Sequence, residues 1–260
     1  MSIDTHIHLF HRGLPRAQGI RHDPAYDAPL DQLLLCATGT SVDRFVIVQP
    51  SFLGTDNQFL LDQLQRYPAL IAGVAVLDPG VSEDEIEQLA QLGIRGIRLN
   101  LLGRELSQVL NAETLSLVAR CAEHGLHIEL HDDGARLPQV LALVAPLAKT
   151  LVIDHFGRPN VGRGGLQSNE FQTLLNSGEG KDWYVKISAP YRCPGIDVSA
   201  AWQNFLQHWG PERLLWGSDW PWTQNENYLS YTDWCRPFDA EGDLPARLEG
   251  NALRLYGNRQ

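Results

Sequence analysis

The sequence predicts an α/β fold, a (β/α)8 TIM barrel with eight parallel strands and extra helices at its C-terminal end. Eight short apolar runs alternate with longer segments of helical periodicity, and this order favours parallel strands joined by right-handed crossovers. The length of 260 residues is normal for one such barrel. A doubly wound open sheet is the alternative, but no GxGxxG motif follows the first strand. Because the sequence contains no internal repeat or linker, residues 1–260 are predicted to form a single domain.

The apolar runs define the predicted strands. They are Ile3–His8, Phe45–Pro50, Ile71–Leu77, Gly96–Leu101, Leu126–His131, Thr150–His155, Trp183–Ser188 and Leu214–Ser218. Side chains along a barrel strand alternate between the interior and the helical layer. In the fourth strand Ile97 and Leu99 take one face, and Arg98 and Asn100 take the other. A polar inner face of this kind predicts an enzyme site at the C-terminal ends of the strands.

The segments between the strands carry helix-end signals. Ser82 supplies a capping hydroxyl, and carboxylates follow it in the first turn. Gly93 and Gly125 come just after the last helical residue, where a C-terminal cap favours glycine. The predicted helices are Pro29–Thr38, Asn57–Tyr67, Ser82–Leu92, Ala112–His124, Leu137–Ala148, Leu166–Ser177 and Val198–Trp209, with two tail helices at Tyr228–Cys235 and Leu244–Tyr256.

The composition narrows the classes of partner. A net charge of −10 argues against binding to a nucleic-acid backbone, although a local arginine cluster can still bind a small anionic substrate. The four cysteines are scattered without a CxxC pair, as expected of reduced thiols in a cytoplasmic protein. No run of about 18 apolar residues suggests a membrane span.

Five side chains that can bind a metal or transfer a proton fall at C-terminal strand ends. They are His6 and His8 on the first strand, His131 on the fifth, His155 on the sixth and Asp219 on the eighth. Residues i and i+2 of a strand point the same way, so the His6-Ile7-His8 sequence places two imidazoles on one face. Two such nitrogens can bind one divalent cation, with Asp219 reaching it from across the barrel. Packing does not explain the position of Asp219 at the end of an apolar strand, because burying an unpaired charge is costly.

These five residues and several sequence motifs together resemble those of the amidohydrolase superfamily. Within it, the chain is similar to the lactonase group that includes 2-pyrone-4,6-dicarboxylate lactonase and 4-sulfomuconolactonase-like hydrolases. The resemblance covers nearly the whole chain. The motifs are Asp4-Thr5-His6-Ile7-His8, Val48-Gln49-Pro50-Ser51, Arg95-Gly96-Ile97-Arg98, Ile153-Asp154-His155-Phe156-Gly157-Arg158-Pro159, Lys186-Ile187-Ser188, Gly217-Ser218-Asp219-Trp220-Pro221 and Gly250-Asn251-Ala252-Leu253-Arg254-Leu255-Tyr256-Gly257.

The resemblance implies a hydrolase that opens a carboxylated lactone. Asp219 would be the general base that takes a proton from the attacking water. The other active-site groups it implies are His6, His8 and His155, with Arg98, Arg104 and Arg192 as clamps for substrate carboxylates and Ser51 and Tyr26 as further contacts. Arginine suits the clamp because its planar fork pairs with a carboxylate through two hydrogen bonds.

One position departs from the pyrone lactonase pattern. In that lactonase the fifth strand ends in tyrosine, and the enzyme works without a bound metal. In this chain the fifth strand ends in His131, which restores the full superfamily set of four histidines and one aspartate. His131 therefore favours one Zn²⁺ or Mn²⁺ ion, bound by His6, His8, His131, His155 and Asp219, with a metal-free mechanism as the alternative. No lysine ends the fourth strand, which argues against a carbamate-bridged binuclear centre.

Other functions and roles remain open at this stage. The superfamily's metal-dependent non-oxidative decarboxylases use the same histidine set, a sugar-acid lactonase is a further alternative, and a silent binding protein is a third. Asp154 is predicted to point away from His155 and to be structural. Lys186 is predicted to be buried and to pair with Asp219 or Glu129.

Overall fold

The computed structural model describes residues 2–227, 230–239 and 244–257. Eight strands form one sheet in the order of the sequence, and every neighbouring pair from the first to the eighth is parallel. The strands are Ser2–Ile7 (β1), Val42–Val48 (β2), Ile71–Ala75 (β3), Ile94–Asn100 (β4), His127–His131 (β5), Leu151–Ile153 (β6), Trp183–Ile187 (β7) and Leu214–Trp216 (β8). The predicted TIM barrel is confirmed.

Helices follow the strands as the sequence pattern predicts. They are Leu30–Ala37 (α1), Gln58–Arg66 (α2), Glu83–Leu92 (α3), Leu106–Val109 (α4), Ala112–Glu123 (α5), Leu137–Val144 (α6), Asn169–Gly178 (α7), Val198–Trp209 (α8), Tyr231–Asp239 (α9) and Leu244–Tyr256 (α10). Ser82 caps α3 in a reciprocal capping box with Glu85, and Gly93 ends that helix with φ of 112°.

Some boundaries differ from the prediction. The sixth and eighth strands end earlier, because the chain turns at His155 and Asp219 with φ of 50° and 59°. Helix α4 was not predicted, since its four residues are too short to show a helical period. The first tail helix begins at Tyr231 rather than at Tyr228, and Tyr228 lies outside the described residues.

The barrel closes between β8 and β1 at the level of the site. The amide of Asp219 donates to the carbonyl of His6 at 2.8 Å, and the amide of His8 donates to the carbonyl of Trp220 at 2.8 Å. Gly217 makes this approach possible, because a Cβ there would lie 2.7 Å from Cβ of His6. The absence of a side chain at Gly217 thus lets β8 place Asp219 beside His6.

Apolar packing divides into an outer layer and an inner cluster. Ile97, Leu99 and Leu130 face outward and pack with the helices in the main core. Inside the barrel, Val48, Val74 and Val152 belong to a smaller cluster away from the site. The inner positions nearer the C-terminal strand ends carry the buried polar residues, in agreement with the predicted alternation. None of the described helices combines the length and the apolar character that a bilayer crossing requires.

Candidate active site

The C-terminal strand ends surround a cavity of about 410 Å³. A cavity of this size can hold a small organic acid. Residues from seven of the eight strand ends and from the loop near Arg21 line it. They are His8, Arg21, His22, Pro50, Ser51, Phe52, Arg98, Asn100, Leu102, His131, His155, Arg158, Tyr191, Arg192, Pro194, Asp219, Thr223, Gln224 and Asn225.

Asp219 is fully buried at the base of this cavity. Its Oδ2 accepts hydrogen bonds from the Tyr191 hydroxyl at 2.5 Å and from Nε of Arg192 at 2.7 Å. Its Oδ1 has no hydrogen-bond partner among the described residues, and it faces Nε2 of His8 at 3.3 Å and Nε2 of His6 at 3.5 Å. One carboxylate oxygen is therefore held in place while the other is free to react.

The surroundings of Asp219 keep its carboxyl group ionised. Burial by itself would raise the pKa of Asp219. The guanidinium of Arg192 is the largest of the effects that outweigh burial and hold that pKa well below its usual range. Asp219 is therefore a carboxylate at neutral pH and can accept a proton.

Three imidazoles crowd around the free oxygen. The ring centroids of His6 and His8 are 5.0 Å apart, and those of His6 and His155 are 4.8 Å apart. Nδ1 of His8 lies 2.7 Å from the Val48 carbonyl, which can only accept, so this nitrogen carries a proton. Nδ1 of His155 lies 2.8 Å from Oγ of Ser188. These contacts orient the rings so that their Nε2 atoms face the site.

Burial keeps the deeper imidazoles neutral. It lowers the pKa of His6 to about 3, with a further lowering from the ammonium of Lys186. It also places the pKa of His155 and of His131 well below the ordinary value. At neutral pH each of these rings therefore has one N–H and one lone pair, and its hydrogen bonds decide which nitrogen carries the proton.

The residues present fit a divalent cation. One ligand atom each from His6, His155 and Asp219 lies within 4.8 Å of the other two. Nε2 of His6 and Oδ1 of Asp219 are buried and have no hydrogen-bond partner among the described residues. Two imidazoles and a carboxylate are donors that Zn²⁺ accepts. The geometry thus offers a three-residue candidate group, with His8 next to it.

His131 is not a member of that group, in contrast to the five-ligand set that the sequence predicted. Its Nδ1 lies 3.2 Å from Oδ1 of Asn100, and its Nε2 lies 3.4 Å from Nη1 of Arg158. Both ring nitrogens therefore already have hydrogen-bond partners, one of them a cation. In this arrangement His131 is a polar wall residue of the cavity.

Asp154 corrects a prediction about side-chain direction. It does not point away from His155 but into the barrel, where Oδ2 accepts hydrogen bonds from Nε and Nη2 of Arg98 at 2.9 and 2.7 Å. Val152 points inward, and Asp154 is two residues further along. Because residues i and i+2 of an extended chain point the same way, Asp154 points inward too. His155 turns inward as well because its backbone adopts a left-handed conformation that histidine tolerates.

The predicted arginine clamps are only partly brought together. Arg98 and Arg192 line the cavity, but they are paired with Asp154 and Asp219 respectively. Arg104 is exposed and lies outside the cavity lining. Of the two further contacts, Ser51 lines the cavity, whereas Tyr26 lies outside the lining and donates to Glu226 at 2.8 Å.

Sequence reasoning missed three residues of the cavity wall. Tyr191 holds Asp219, and Arg21 and Arg158 bring positive charge without a carboxylate partner among the described residues. Burial, and then the nearby arginines, lower the pKa of the Arg21 guanidinium, as expected of a cation close to other cations. The position of Arg158, three residues after His155, could have identified it from the sequence as a cavity residue. No sequence pattern could have identified Arg21, since it lies in an irregular segment.

The chain is similar to known proteins over nearly its whole length. The amidohydrolase family model matches residues 3–258. A 2-pyrone-4,6-dicarboxylate hydrolase of Comamonas testosteroni is 29% identical, over 98% of this chain and 90% of the relative. A 4-sulfomuconolactone hydrolase of Rhizobium radiobacter is 28% identical, over 84% of this chain and 75% of the relative.

A solved structure is also similar. The crystal structure of a proposed 2-pyrone-4,6-dicarboxylic acid hydrolase from Pseudomonas putida superimposes with a TM-score of 0.89 at 38% identity, covering 98% of this chain and 97% of that chain. The enzyme class expected from the sequence, a hydrolase, is confirmed. The chain belongs to the amidohydrolase family.

Proposed function

We propose that this protein hydrolyses a lactone that carries carboxylate groups, of the 2-pyrone-4,6-dicarboxylate type, with Asp219 as the general base. The observation that carries the proposal is that the two oxygens of the buried Asp219 carboxylate have different surroundings. Tyr191 and Arg192 hold Oδ2, and Oδ1 faces the histidines at the base of the cavity. The names of the two curated relatives and the structural similarity support the lactone as substrate.

The first step is proton transfer from water to Oδ1 of Asp219 as the water attacks the lactone carbonyl. A carboxylate whose pKa is low is a weak base. The transfer is therefore favourable only when it is coupled to attack on a polarised carbonyl. Donors at the base of the cavity supply that polarisation by stabilising the negative charge that develops on the carbonyl oxygen.

The proton then has a path to the leaving group. Nδ1 of His8 is protonated toward the Val48 carbonyl, so a neutral His8 has its lone pair on Nε2. That lone pair lies 3.3 Å from Oδ1 of Asp219. His8 can accept the proton from Asp219 and donate it to the ring oxygen when the C–O bond breaks, which restores the carboxylate.

A divalent cation of the Zn²⁺ or Mn²⁺ type is the cofactor that His6, His155 and Asp219 would hold. When bound, such an ion would act as a Lewis acid on the carbonyl oxygen. The described residues also supply polarising N–H groups of their own. Metal analysis of the purified protein, with chelation and Zn²⁺ or Mn²⁺ re-addition, measures what the ion contributes.

The cavity wall suits an anionic substrate. Four guanidinium groups line it, and the carboxylates of Asp154 and Asp219 balance two of them. Arg21 and Arg158 are left as excess positive charge. A substrate with two carboxylates would neutralise that excess, whereas a neutral sugar lactone would leave both arginines unpaired.

A substrate panel with two readouts tests the proposal. Purified protein is incubated with carboxylated 2-pyrones, sugar-acid lactones and aromatic carboxylic acids, and proton release and CO₂ are both followed. Lactone hydrolysis releases acid without CO₂. Decarboxylation, the alternative function, releases CO₂ and consumes a proton. Turnover of a dicarboxylated pyrone with acid release supports the proposal, and CO₂ from an aromatic acid without lactone turnover would overturn it.

A further inference from the structure

A buried lysine lies directly beneath the site. Lys186, on β7, is fully buried and does not line the cavity. Its Nζ lies 2.5 Å from Oε2 of Glu129 and 3.1 Å from Nδ1 of His6. The ammonium group thus takes the place beside His6 and Glu129 that a cation would otherwise need. Neither contact has a role in the mechanism described above.

Two groups compete for Nδ1 of His6. Lys186 is at 3.1 Å, and Oδ1 of Asp154 is at 3.3 Å. An ammonium group only donates, so contact with Lys186 is attractive only if Nδ1 has a lone pair. A carboxylate only accepts, so contact with Asp154 is attractive only if Nδ1 carries a proton. One neutral imidazole cannot satisfy both.

The hydrogen-bond geometry favours the lysine. The contact from Nζ of Lys186 to Nδ1 of His6 has hydrogen-bond geometry, whereas Oδ1 of Asp154 has no hydrogen-bond partner among the described residues. The arginine bonds of Asp154 all go to its other oxygen, Oδ2. Because Lys186 donates to Nδ1, that nitrogen keeps its lone pair, and the ring proton is on Nε2, the nitrogen that faces Oδ1 of Asp219.

We infer that Lys186 is a positioning residue of the site: it fixes the tautomer of His6 in which Nε2–H points into the reaction space. The inference rests on the proposed function for its catalytic consequence. In that tautomer His6 donates a hydrogen bond to the carbonyl oxygen that becomes negative during attack. Lys186 itself touches no reacting atom and acts through His6.

The same contact opposes a metal ligand at this position. Nε2 of His6 can bind a cation only with its lone pair, which requires the proton to be on Nδ1. Asp154 is placed to accept that proton, as carboxylates commonly do for metal-bound histidines. Lys186 and Asp154 therefore favour opposite states of His6, and removal of the lysine shifts the ring toward the metal-binding one.

The direct test is nitrogen NMR of protein labelled with ¹⁵N in histidine side chains, with a His6→Gln variant for assignment. In the wild-type protein we expect His6 to show a protonated Nε2 and an unprotonated Nδ1. The opposite pattern overturns the inference without the need for any variant at Lys186. The NMR measurement of the His6 tautomer does not depend on turnover, so it tests the inference separately from the proposed function. If the expected tautomer is found but no lactone is hydrolysed, only the proposed function is contradicted.

Variants extend the test to metal affinity and catalysis. Lys186→Met combined with Glu129→Gln removes the donor without leaving a buried charge unpaired, and Glu129→Gln alone keeps the lysine. Tyr184→Phe is the matched control, since Tyr184 lies on the same strand and face, two residues earlier. The thermal unfolding midpoint of each variant verifies folding.

We expect the double variant to protonate Nδ1 and to bind Zn²⁺ about 10-fold more tightly or better. In protein freed of metal, kcat on the best lactone should fall about 10²-fold with little change in KM. The Glu129→Gln and Tyr184→Phe variants should keep the wild-type tautomer. If the folded double variant keeps a protonated Nε2, or binds Zn²⁺ no more tightly than the wild type, the inference is wrong.

Discussion

Nε of Arg192 lies 2.7 Å from Oδ2 of Asp219, so an arginine expected to clamp the substrate holds the proposed general base instead. Arg192 is the strongest of the charges that keep the pKa of Asp219 well below its ordinary range against the effect of burial. In the proposed mechanism this pair sets the pH at which the site becomes active.

Replacing Arg192 by Met should move the acid limb of the pH profile of kcat/KM upward by about 1 to 3 pH units. The base must be deprotonated to act, and without the guanidinium the burial of Asp219 raises its pKa. The profile is measured on the best lactone from pH 3 to 9. A higher KM with an unmoved acid limb would mean that Arg192 acts on the substrate alone.

Arg158→Met should raise KM for a dicarboxylated pyrone about 10- to 100-fold and have a smaller effect on a pyrone with one carboxylate. The physical reason is that Arg158 brings unbalanced positive charge to the cavity wall. Steady-state kinetics on both substrates provide the measurement. Arg163→Met, at an exposed position outside this cavity, is the matched control and should behave as wild type. Equal effects on the two substrates would contradict carboxylate binding by Arg158.

Asp4 should give the folded protein a pH-dependent stability. Burial raises the pKa of Asp4 to about 6, although it accepts hydrogen bonds from Ser218, His6 and Tyr231. The folded state therefore keeps a proton that the unfolded chain has already released. This contribution is complete below about pH 4 and is lost as pH rises through 6.

The wild-type free energy of unfolding should fall across that window relative to Asp4→Asn, by at most about 3 kcal/mol. Asparagine preserves the acceptor for the two backbone amides and does not titrate. Urea unfolding at pH 4, 5, 6 and 7 measures the difference. Asp43→Asn, at an exposed position of β2, should track the wild type. A constant difference between wild type and Asp4→Asn would show that Asp4 titrates normally.

Gly217→Ala should lower both activity and stability. The new Cβ would lie 2.7 Å from Cβ of His6 and 3.1 Å from its backbone nitrogen, so β8 and β1 would have to separate. Overpacking of this kind costs about 1–3 kcal/mol. Gly250→Ala is the control, since its Cβ would meet nothing closer than 3.9 Å, at the end of the Arg254 side chain. Unchanged kcat in Gly217→Ala would mean that the spacing of Asp219 and His6 is not critical.

The parts of the fold that depend on local pattern could be predicted from the sequence. Eight strands and their helices have strong apolar periodicity, and the approximate positions of the strand ends follow from it. His6, His8, His155 and Asp219 were therefore expected near one another, and the structure places them together.

The parts that depend on long-range pairing or on single backbone angles could not. Arg98 on β4 pairs with Asp154, which follows β6 and lies 56 residues away in sequence, and no local signal distinguishes that partner from a substrate carboxylate. The left-handed turn at His155 brings that side chain inward next to the inward-facing Asp154, and strict alternation cannot predict two consecutive inward side chains. The distance between Lys186 and His6, 180 residues apart in sequence, likewise depends on barrel closure.

Asp219→Asn tests the central claim most directly. Asparagine has the same shape, can keep one oxygen toward Tyr191 and Arg192, and replaces the reactive Oδ1 by an amide that accepts no proton. Ring opening of 2-pyrone-4,6-dicarboxylate is followed by its ultraviolet absorbance, with the exposed Asp197→Asn as the matched control. We predict that kcat falls at least about 10³-fold in Asp219→Asn, with the fold retained, and stays at the wild-type value in the control. Near wild-type turnover by folded Asp219→Asn would contradict the account.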